Sequence, residues 1–244
     1  SGPVTFSLTD ATYPSETFPI TINANSFASA TNTLTIQPAI GVAATLSGSV
    51  TSGALIRLNG ADYVTIDGSN NGSTSRDLTL SNTATTAPTG IWISSLGTGT
   101  GATNNTIKNC IINVNSSLSA SATGISVSGT TINTSGADND AVSVQNNLVN
   151  SPAIGIYANG TAAVSAGGND NLSISNNTIT TGNSSVVAVY GIQVGNALNA
   201  SIVTNSLNLT TSGSGTPVAI SIESGTLNSS ITRNQILSVT TTAT

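Results

Sequence analysis

Short runs in which aliphatic and polar residues alternate recur along most of the chain. In the stretch NLSISNNTIT, Leu172 and Ile174 alternate with polar residues, a pair of asparagines follows, and Ile179 resumes the apolar positions. Alternation with a period of two is typical of a β-strand with one buried face, and paired asparagines favour a turn. The stretch therefore predicts a unit of strand, bend and strand.

Two repeated motifs interleave from residue 90 onward. The first reads GIWIS, GISVSG, GIYANG, GIQVGN and AISIESG, and its leading isoleucine recurs in steps of 28 to 36 residues. The second reads IKNCII, VQNNLV, ISNNTI, IVTNSL and ITRNQI, with steps of 28 to 37 residues. Repeats of roughly 20 to 50 residues indicate a solenoid. Because the units contain only short strands and no helical apolar period, they predict a β-solenoid.

The second motif defines a bend column, which is asparagine in four units and cysteine in one. Its members are Cys110, Asn147, Asn177, Asn205 and Asn234. Stacked strands lie about 4.8 Å apart, so inward carboxamides can hydrogen-bond to the units above and below. We predict an asparagine ladder, with the cysteine as a small buried residue at its end. The preceding column includes Arg233 and is expected to face water; its other members are Asn109, Asn146, Asn176 and Thr204.

The first part of the chain, residues 1–46, differs from the rest in its aromatic content. It contains Phe6, Tyr13, Phe18 and Phe27. A repeat stack needs an atypical end unit, so we predict cap-like first coils here, with an ordinary first stretch of core as the alternative. Residues 47–244 are expected to form regular coils, and the whole of 1–244 a single domain. The uneven repeat steps place corner loops at 94–103, 115–122, 131–138 and 160–170.

The composition supports a thin aliphatic core wrapped in small polar residues. Only 5% of the residues are charged, against about 25% in an average globular domain. The mean hydropathy is +0.19, which is incompatible with the polar, highly charged composition of disordered chains.

The charge balance excludes several classes of partner. Four basic and nine acidic residues give a net charge of −5, and phosphate binding depends on Lys and Arg. We therefore predict no nucleic-acid binding.

No apolar run reaches the roughly 18 to 20 residues of a membrane span. A single cysteine excludes an internal disulfide framework. The chain starts at Ser1 without a signal peptide, which we interpret as a mature or excised part of a longer protein.

The repeated ISNNTI and GIxVxG units resemble the right-handed parallel β-helix of the pectin-lyase-like superfamily. The segments TLTIQPAIGVAATLSGSV, ALIRLNGADYVTIDGSNNG and RDLTLSN resemble repeat regions of very large secreted surface proteins of the Bacteroidetes type, which are often adhesin-like. The resemblance covers nearly the whole chain. It implies an all-β, right-handed parallel β-helix of roughly seven to nine coils and leaves function open, because the superfamily contains lyases, hydrolases and adhesins.

One segment carries a possible hydrolase signal. GADNDAVSVQNN resembles the DDAVSI segment of polygalacturonase-like glycoside hydrolases, which implies Asp138 and Asp140 as an acid and base pair. Those enzymes also carry Asn-Thr-Asp, His-Gly and Arg-x-Lys motifs. This chain has no histidine, and its only basic residue after Lys108 is Arg233. We therefore favour a solvated corner loop over a catalytic site.

Two other features have both a binding and a structural interpretation, and a third is interpreted as structural. GGNDN resembles a single calcium-binding nonapeptide repeat and would place a calcium ion at Asp170, but a glycine-rich turn is favoured. Trp92 and Tyr157 follow the aligned isoleucines and are expected on the outer face, two coils apart, either exposed for stacking on a sugar or packed beneath a corner loop. Asp62 and Asp67 flank one strand and are expected to cap turns.

The sequence thus predicts a non-enzymatic structural or adhesive module of a large extracellular bacterial surface protein or fibre. It predicts no catalytic, metal-binding or cofactor-binding residues and no cofactor. The expected partners are neighbouring repeats of the same parent chain, other copies end to end, and surface glycans. The alternative function is a carbohydrate-binding or carbohydrate-active β-helix. Ice binding is disfavoured, because coils of uneven length do not suit a regular threonine array.

Overall fold

A computed structural model of the protein describes residues 2–115, 121–162, 167–181, 188–212 and 216–242. Across these ranges the chain forms short β-strands joined by turns and bends, and no helix. In chain order the strands are β1 (Val4–Leu8), β2 (Ile20–Asn23), β3 (Leu34–Pro38), β4 (Ala44–Gly48), β5 (Ala54–Asn59), β6 (Val64–Asp67), β7 (Leu78–Asn82), β8 (Thr89–Ser94), β9 (Thr106–Lys108), β10 (Cys110–Val114), β11 (Thr123–Ser128), β12 (Ser143–Gln145), β13 (Leu148–Asn150), β14 (Ile154–Asn159), β15 (Ser173–Ser175), β16 (Thr178–Thr180), β17 (Ala188–Gly195), β18 (Ser201–Val203), β19 (Ser206–Ser212), β20 (Thr216–Ile222), β21 (Ser230–Thr232) and β22 (Gln235–Thr242).

The strands form three parallel sheets that run along the whole stack. Sheet A has the order β1-β3-β6-β9-β12-β15-β18-β21, sheet B β4-β7-β10-β13-β16-β19-β22, and sheet C β2-β5-β8-β11-β14-β17-β20. Neighbours within a sheet come from successive coils, so the molecule is a β-solenoid of about seven turns. This confirms the predicted fold class, at the lower end of the expected coil number; the right-handed winding stays a prediction.

The pairing register confirms the first sequence motif. It aligns Ile91, Ile125, Ile156, Ile192 and Ile220 in one column of sheet C. Similar aliphatic columns run through sheets A and B, and together they form one continuous core. Because a slip of one residue would turn each aliphatic side chain to the outer face, this core fixes the register of every coil.

A glycine column beside the isoleucines brings sheets B and C into close contact. A Cβ atom at Gly124 would lie 2.3 Å from Cγ1 of Val149 and 2.5 Å from the carbonyl oxygen of Gly155. Gly90, Gly155 and Gly191 have comparable contacts with sheet B side chains and with the next coil. The glycine of the GIxVxG motif is therefore required by packing at this position, where a side chain has no room.

The bend column forms the predicted asparagine ladder. Asn147 and Asn177 each donate Nδ2 hydrogens in two directions, to a backbone carbonyl of the preceding coil and to the Oδ1 of the following asparagine, at 2.8–3.0 Å. The same Oδ1 also accepts the backbone N–H of the preceding bend residue. Asn205 and Asn234 continue the arrangement. The enclosed carboxamides of Asn177 and Asn205 thus make four hydrogen bonds each, and that of Asn147 makes three.

Cys110 lies at the start of this ladder, as predicted. Its backbone N–H donates to Oδ1 of Asn147 at 3.0 Å, and its side chain is fully buried. Burial, together with the negative charge of Asp67, raises the pKa of the Cys110 thiol far above its ordinary value. The thiolate is the reactive form of cysteine, so this side chain serves as a small apolar core residue.

The column before the bend has a property that the sequence reading missed. All five of its residues have positive φ angles, between 52° and 59°. The expectation that this column faces water holds for the exposed Asn176 and Arg233 but is wrong for Asn109, which is 4% exposed. Asn109 is covered because its Nδ2 donates to Oδ1 of Asp67 and to the carbonyl of Ser73, in the loop of the preceding coil.

This geometry makes Thr204 the least suitable residue in its column. Its φ is 55°, and the left-handed region is costly for a β-branched side chain but tolerated by asparagine. We expect Thr204→Asn to raise the free energy of unfolding by about 1 kcal/mol, measured by urea denaturation. The reverse change one coil earlier, Asn176→Thr, is expected to lower it by a similar amount. If neither variant shifts the denaturation midpoint, strain at this column is not significant.

Other corners are held by buried asparagines that do not align in a column. Oδ1 of Asn82 accepts the backbone N–H of Val50, and Oδ1 of Asn105 accepts that of Val64, at 3.0 and 2.9 Å. The predicted corner loops lie between strands wherever they are described, but residues 116–120 and 163–166 of two of them lie outside the described ranges. No helix in the described part of the chain has the length and hydropathy of a membrane span.

Candidate functional site

A groove at the corner between sheets C and A gathers three carboxylates. It has a volume of about 690 Å³ and is lined by loop residues of the first four coils, including Asp62, Asp138 and Asp140. The sequence placed the last two in one segment but did not connect them with Asp62. Stacking of coils brings these residues together, because equivalent corners of successive coils lie one above another.

Asp138 connects three successive coils. Its Oδ2 accepts the backbone N–H of Gly99 at 2.6 Å, from the preceding coil. Its Oδ1 accepts the backbone N–H of Gly167, from the following coil. Both oxygens of the carboxylate are therefore occupied by main-chain donors, which gives this side chain a structural role in holding neighbouring loops.

Asp62 and Asp140 each bind the loop of the following coil. Oδ1 of Asp62 accepts the backbone N–H and the hydroxyl of Thr103, at 2.7 and 2.9 Å. Oδ1 of Asp140 accepts the backbone N–H of Asp170 at 2.8 Å. Burial raises the pKa of the Asp140 carboxyl, and the charges of Asp170 and Asp138 add to the rise, while the hydrogen bond from Asp170 opposes it.

The four basic residues of the chain lie away from the groove, and three of them have partners elsewhere. The guanidinium of Arg57 lies 3.9 Å from the ring centroid of Trp92. Arg76 donates to the carbonyl of Asn146 at 2.8 Å, and Nζ of Lys108 lies 3.0 Å from Oδ2 of Asp67. None of the four basic residues lines the groove. An acidic polysaccharide bound there would face carboxylates without a compensating cation.

Replacing Asp138 and Asp140 one at a time separates the roles of their two carboxylates. We expect Asp138→Asn to lower the free energy of unfolding at pH 7 by about 1 to 3 kcal/mol, because the carboxamide keeps one acceptor and sets an NH₂ group against a backbone N–H. Asp140→Asn keeps the acceptor for Asp170 and removes a charge that burial disfavours, so it is expected to raise the melting temperature. Thermal unfolding of both variants at several pH values provides the measurement.

The pH dependence gives this comparison a second readout. Because the pKa of Asp140 is raised in the folded protein, the folded state binds the proton more tightly than the unfolded state does. The stability that protonation of Asp140 contributes is complete below the pKa that this carboxyl has in the unfolded chain. It is lost as the pH rises through the higher pKa that the carboxyl has in the folded protein. The advantage of Asp140→Asn should therefore be present at pH 7 and vanish near pH 3. If the higher stability of Asp140→Asn did not change with pH, burial would not raise the pKa of Asp140 in the folded protein.

Among the described residues, the structure adds no ligands around Asp170. The backbone N–H of Asp170 donates to Asp140, and its buried Oδ1 has no hydrogen-bond partner within the described part of the chain. In the described ranges, no group of three or more His, Cys, Asp or Glu side chains lies close enough together to hold a metal ion. A calcium site of the kind suggested by GGNDN would need further oxygen ligands from the protein.

Trp92 and Tyr157 lie on the outer face of sheet C, two coils apart, as the alignment predicted. The idea that they are exposed for sugar stacking is wrong, since they are only 8% and 7% exposed. The indole Nε1 of Trp92 donates to Oγ of Ser128 at 2.9 Å. Asn133, in the corner loop after β11, folds back and hydrogen-bonds to Oγ of Ser126 between them. The structural interpretation, packing beneath loops, agrees with this burial.

An exposed aromatic residue lies instead beside the groove. Phe27 is 76% exposed and lines a second cavity of about 320 Å³ together with Asn25 and Asp62, which also line the groove. Oδ1 of Asn25 accepts the backbone N–H of Phe27, and Nδ2 of Asn32 donates to its carbonyl, so the loop is held at both sides. This arrangement was not predictable from the sequence, because the residues come from different coils.

Comparison with known proteins adds no further assignment: no family model, no curated protein and no solved structure matches the chain.

Proposed function

We propose that this chain is a non-enzymatic structural and adhesive module of a large extracellular bacterial surface protein, in which the solenoid acts as a rigid spacer that presents corner loops. The observation that carries this proposal is the use of the groove carboxylates as clamps. Each of Asp62, Asp138 and Asp140 accepts a backbone N–H from a neighbouring coil. A general acid or base needs an oxygen that is free to face a substrate. Both oxygens of Asp138 accept backbone N–H groups, so the pair that it would form with Asp140 lacks one free member.

The electrostatics of the groove support the same proposal. Lyases that act on uronates need a basic residue for proton abstraction and cations for the acidic sugar, and the basic side chains lie elsewhere. The continuous hydrogen-bonded stack suits a rigid, protease-resistant spacer, since local opening would break bonds to two neighbouring coils. Motif resemblance leads us to place the module in the pectin-lyase-like superfamily and to propose a surface protein of the Bacteroidetes type as its parent.

The second candidate is glycan binding without cleavage, at the two adjoining cavities around Asp62. Exposed Phe27 supplies an apolar face on which a sugar ring can stack. Asn25 and Asp62 supply hydrogen-bonding groups, and both line the two cavities. The net negative lining favours neutral sugars over uronates. This candidate is compatible with an adhesive module, because it adds a ligand without adding chemistry.

Incubation of the purified protein with a panel of neutral and acidic polysaccharides tests the proposal. We expect no shortened chains from any member of the panel, and retention only of neutral polysaccharides. Retention should fall at least about tenfold in Phe27→Ala, which removes the stacking surface. The matched control is Phe6→Ala, since Phe6 is also exposed, at 65%, but lines neither the groove nor the second cavity.

Cleavage that is lost in Asp140→Asn would overturn the non-enzymatic assignment. Asp140→Asn is the better probe of catalysis, because Asp138→Asn is expected to disturb the fold as well. Retention unchanged in Phe27→Ala would remove the glycan-binding candidate and leave the structural role.

A further inference from the structure

Three asparagine–glycine pairs in this chain have different surroundings in the folded protein. They are Asn59–Gly60, Asn71–Gly72 and Asn159–Gly160. Asparagine followed by glycine is prone to spontaneous deamidation, because glycine has no side chain to hinder attack of its backbone nitrogen on the asparagine side chain. The sequence does not distinguish the three pairs, so any difference between them comes from the fold.

Two of the pairs are held at the ends of strands in sheet C, where β5 and β14 end on the asparagine. The backbone N–H of Gly60 donates to the carbonyl of Ser94 at 2.8 Å, and that of Gly160 donates to the carbonyl of Gly195 at 3.1 Å. Both glycines are buried. Their nitrogens can attack only after these bonds between coils break, which requires local opening of the stack.

The third pair is exposed, in the loop 68–77 between β6 and β7. Within the described part of the chain, the backbone N–H of Gly72 and the Nδ2 group of Asn71 have no hydrogen-bond acceptor. The attacking nitrogen can therefore lose its proton to water, and the leaving group is not held. In contrast, Nδ2 of Asn59 donates to Oδ1 of Asn23 at 2.9 Å.

The carboxamide oxygen of Asn71 is surrounded by donors. Its Oδ1 accepts the backbone N–H of Ser73 at 3.0 Å, the hydroxyl of Ser73 at 2.5 Å and the hydroxyl of Ser69 at 3.0 Å. Attack on the side-chain carbon places negative charge on this oxygen, and donors that are already in position stabilise that charge. Among the described residues, Oδ1 of Asn59 has no partner, and Oδ1 of Asn159 accepts a single side-chain amide.

We propose that Asn71 is a self-modification site to which the fold directs deamidation. The backbone nitrogen of Gly72 loses its proton to water and forms a bond to Cγ of Asn71. The bond between Cγ and Nδ2 breaks, and the departing nitrogen takes up a proton and leaves as ammonia, which closes a succinimide ring. Water then opens the ring at either carbonyl carbon and gives aspartate or isoaspartate, with one new negative charge. Water is the only co-reactant.

The modification changes contacts between this loop and the coils that follow. The backbone carbonyls of Ser73 and Thr74 accept Nδ2 hydrogens of Asn109 and Asn146, at 3.3 and 2.9 Å. Isoaspartate at position 71 adds a methylene group to the main chain just before these carbonyls and displaces them. The aspartate product keeps the original main chain, and its carboxylate accepts the same donors in stronger, charge-assisted hydrogen bonds.

Timed incubation of the purified protein at pH 8 and 37 °C tests the proposal. Conversion at each pair is measured by mass spectrometry after digestion, and isoaspartate is identified by labelling with an isoaspartyl methyltransferase. In the folded protein we expect Asn71 to convert at least about tenfold faster than Asn59 and Asn159. In urea the three pairs lose their different surroundings, so their rates should converge. Equal rates in the folded protein, or the same excess at Asn71 in urea, would overturn the proposal.

Ser73→Ala tests the donors around the oxygen. It removes the hydroxyl but keeps the backbone N–H, so conversion at Asn71 in the folded protein should slow at least about threefold and stay unchanged in urea. The matched control is Thr74→Ala, because the exposed hydroxyl of Thr74 makes no hydrogen bond within the described residues. Circular dichroism verifies that both variants are folded. If the two variants convert at the same rate, the donors do not assist the reaction and the proposal is wrong.

Discussion

Asn177→Leu is expected to lower the free energy of unfolding by about 3 kcal/mol. Asn177 is 1% exposed, so its partners have no access to water when the carboxamide is removed. The backbone N–H and Nδ2 of Asn147 lose their acceptor, and the carbonyl of Val144 loses its donor. Each buried group left unsatisfied costs about 1 to 3 kcal/mol, partly offset by burial of the leucine side chain. Urea denaturation followed by circular dichroism measures the change.

Asn176→Gly is the matched control for this variant. Asn176 is adjacent, has the same side chain and is exposed, and glycine accepts its φ of 57°. We expect a change within about 0.5 kcal/mol, as for ordinary surface substitutions. A denaturation midpoint for Asn177→Leu that matches the control would mean that the ladder contributes no net stability.

Gly124→Ala is expected to destabilise the protein by a similar amount, about 3 kcal/mol, through steric overlap alone. The added methyl would lie 2.3 Å from Cγ1 of Val149 and 2.5 Å from the carbonyl oxygen of Gly155. Overpacking of this kind typically costs about 1 to 3 kcal/mol, and the upper end applies because one contact is with backbone. The change in melting temperature and in the denaturation midpoint measures the effect.

Two further variants test whether steric overlap is the cause. Val149→Ala combined with Gly124→Ala removes the side-chain contact and leaves the backbone contact, so it should show non-additivity rather than the sum of two losses. Ala219→Gly is the matched control at the last position of the same column and should have a small effect, because it creates no overlap. Strict additivity in the double variant would show that close approach of the two sheets is not responsible.

The enzyme-like segment shows how a sequence resemblance and a site can differ. Asp138 and Asp140 do reach a groove, as a catalytic pair would. Their oxygens, however, accept backbone N–H groups of Gly99, Gly167 and Asp170, which belong to neighbouring coils. In a solenoid, corner loops of varied length must be fixed to each other, and buried main-chain donors need acceptors. Carboxylates at corners supply those acceptors, so their presence is not by itself a catalytic signal.

The sequence by itself determined the repeating part of the protein. Each coil packs mainly against its neighbours in the stack, so local periodicity encodes the fold. The alternation around Ile174, the aligned isoleucine column and the asparagine ladder with Cys110 at its end all follow from residues that recur at matching positions. These features were predictable because burial on one face and hydrogen bonding between identical neighbours depend on the repeat alone.

The tertiary structure decided everything that depends on the non-repeating loops. Burial of Trp92 follows from Arg57 and from a loop that folds back over the sheet, and the positions of Phe27 and Asp62 beside one groove follow from corners of different coils. The left-handed backbone at Thr204 depends on the bend geometry. Loop lengths vary between coils, so no period relates these residues, and their contacts arise only when the coils are stacked.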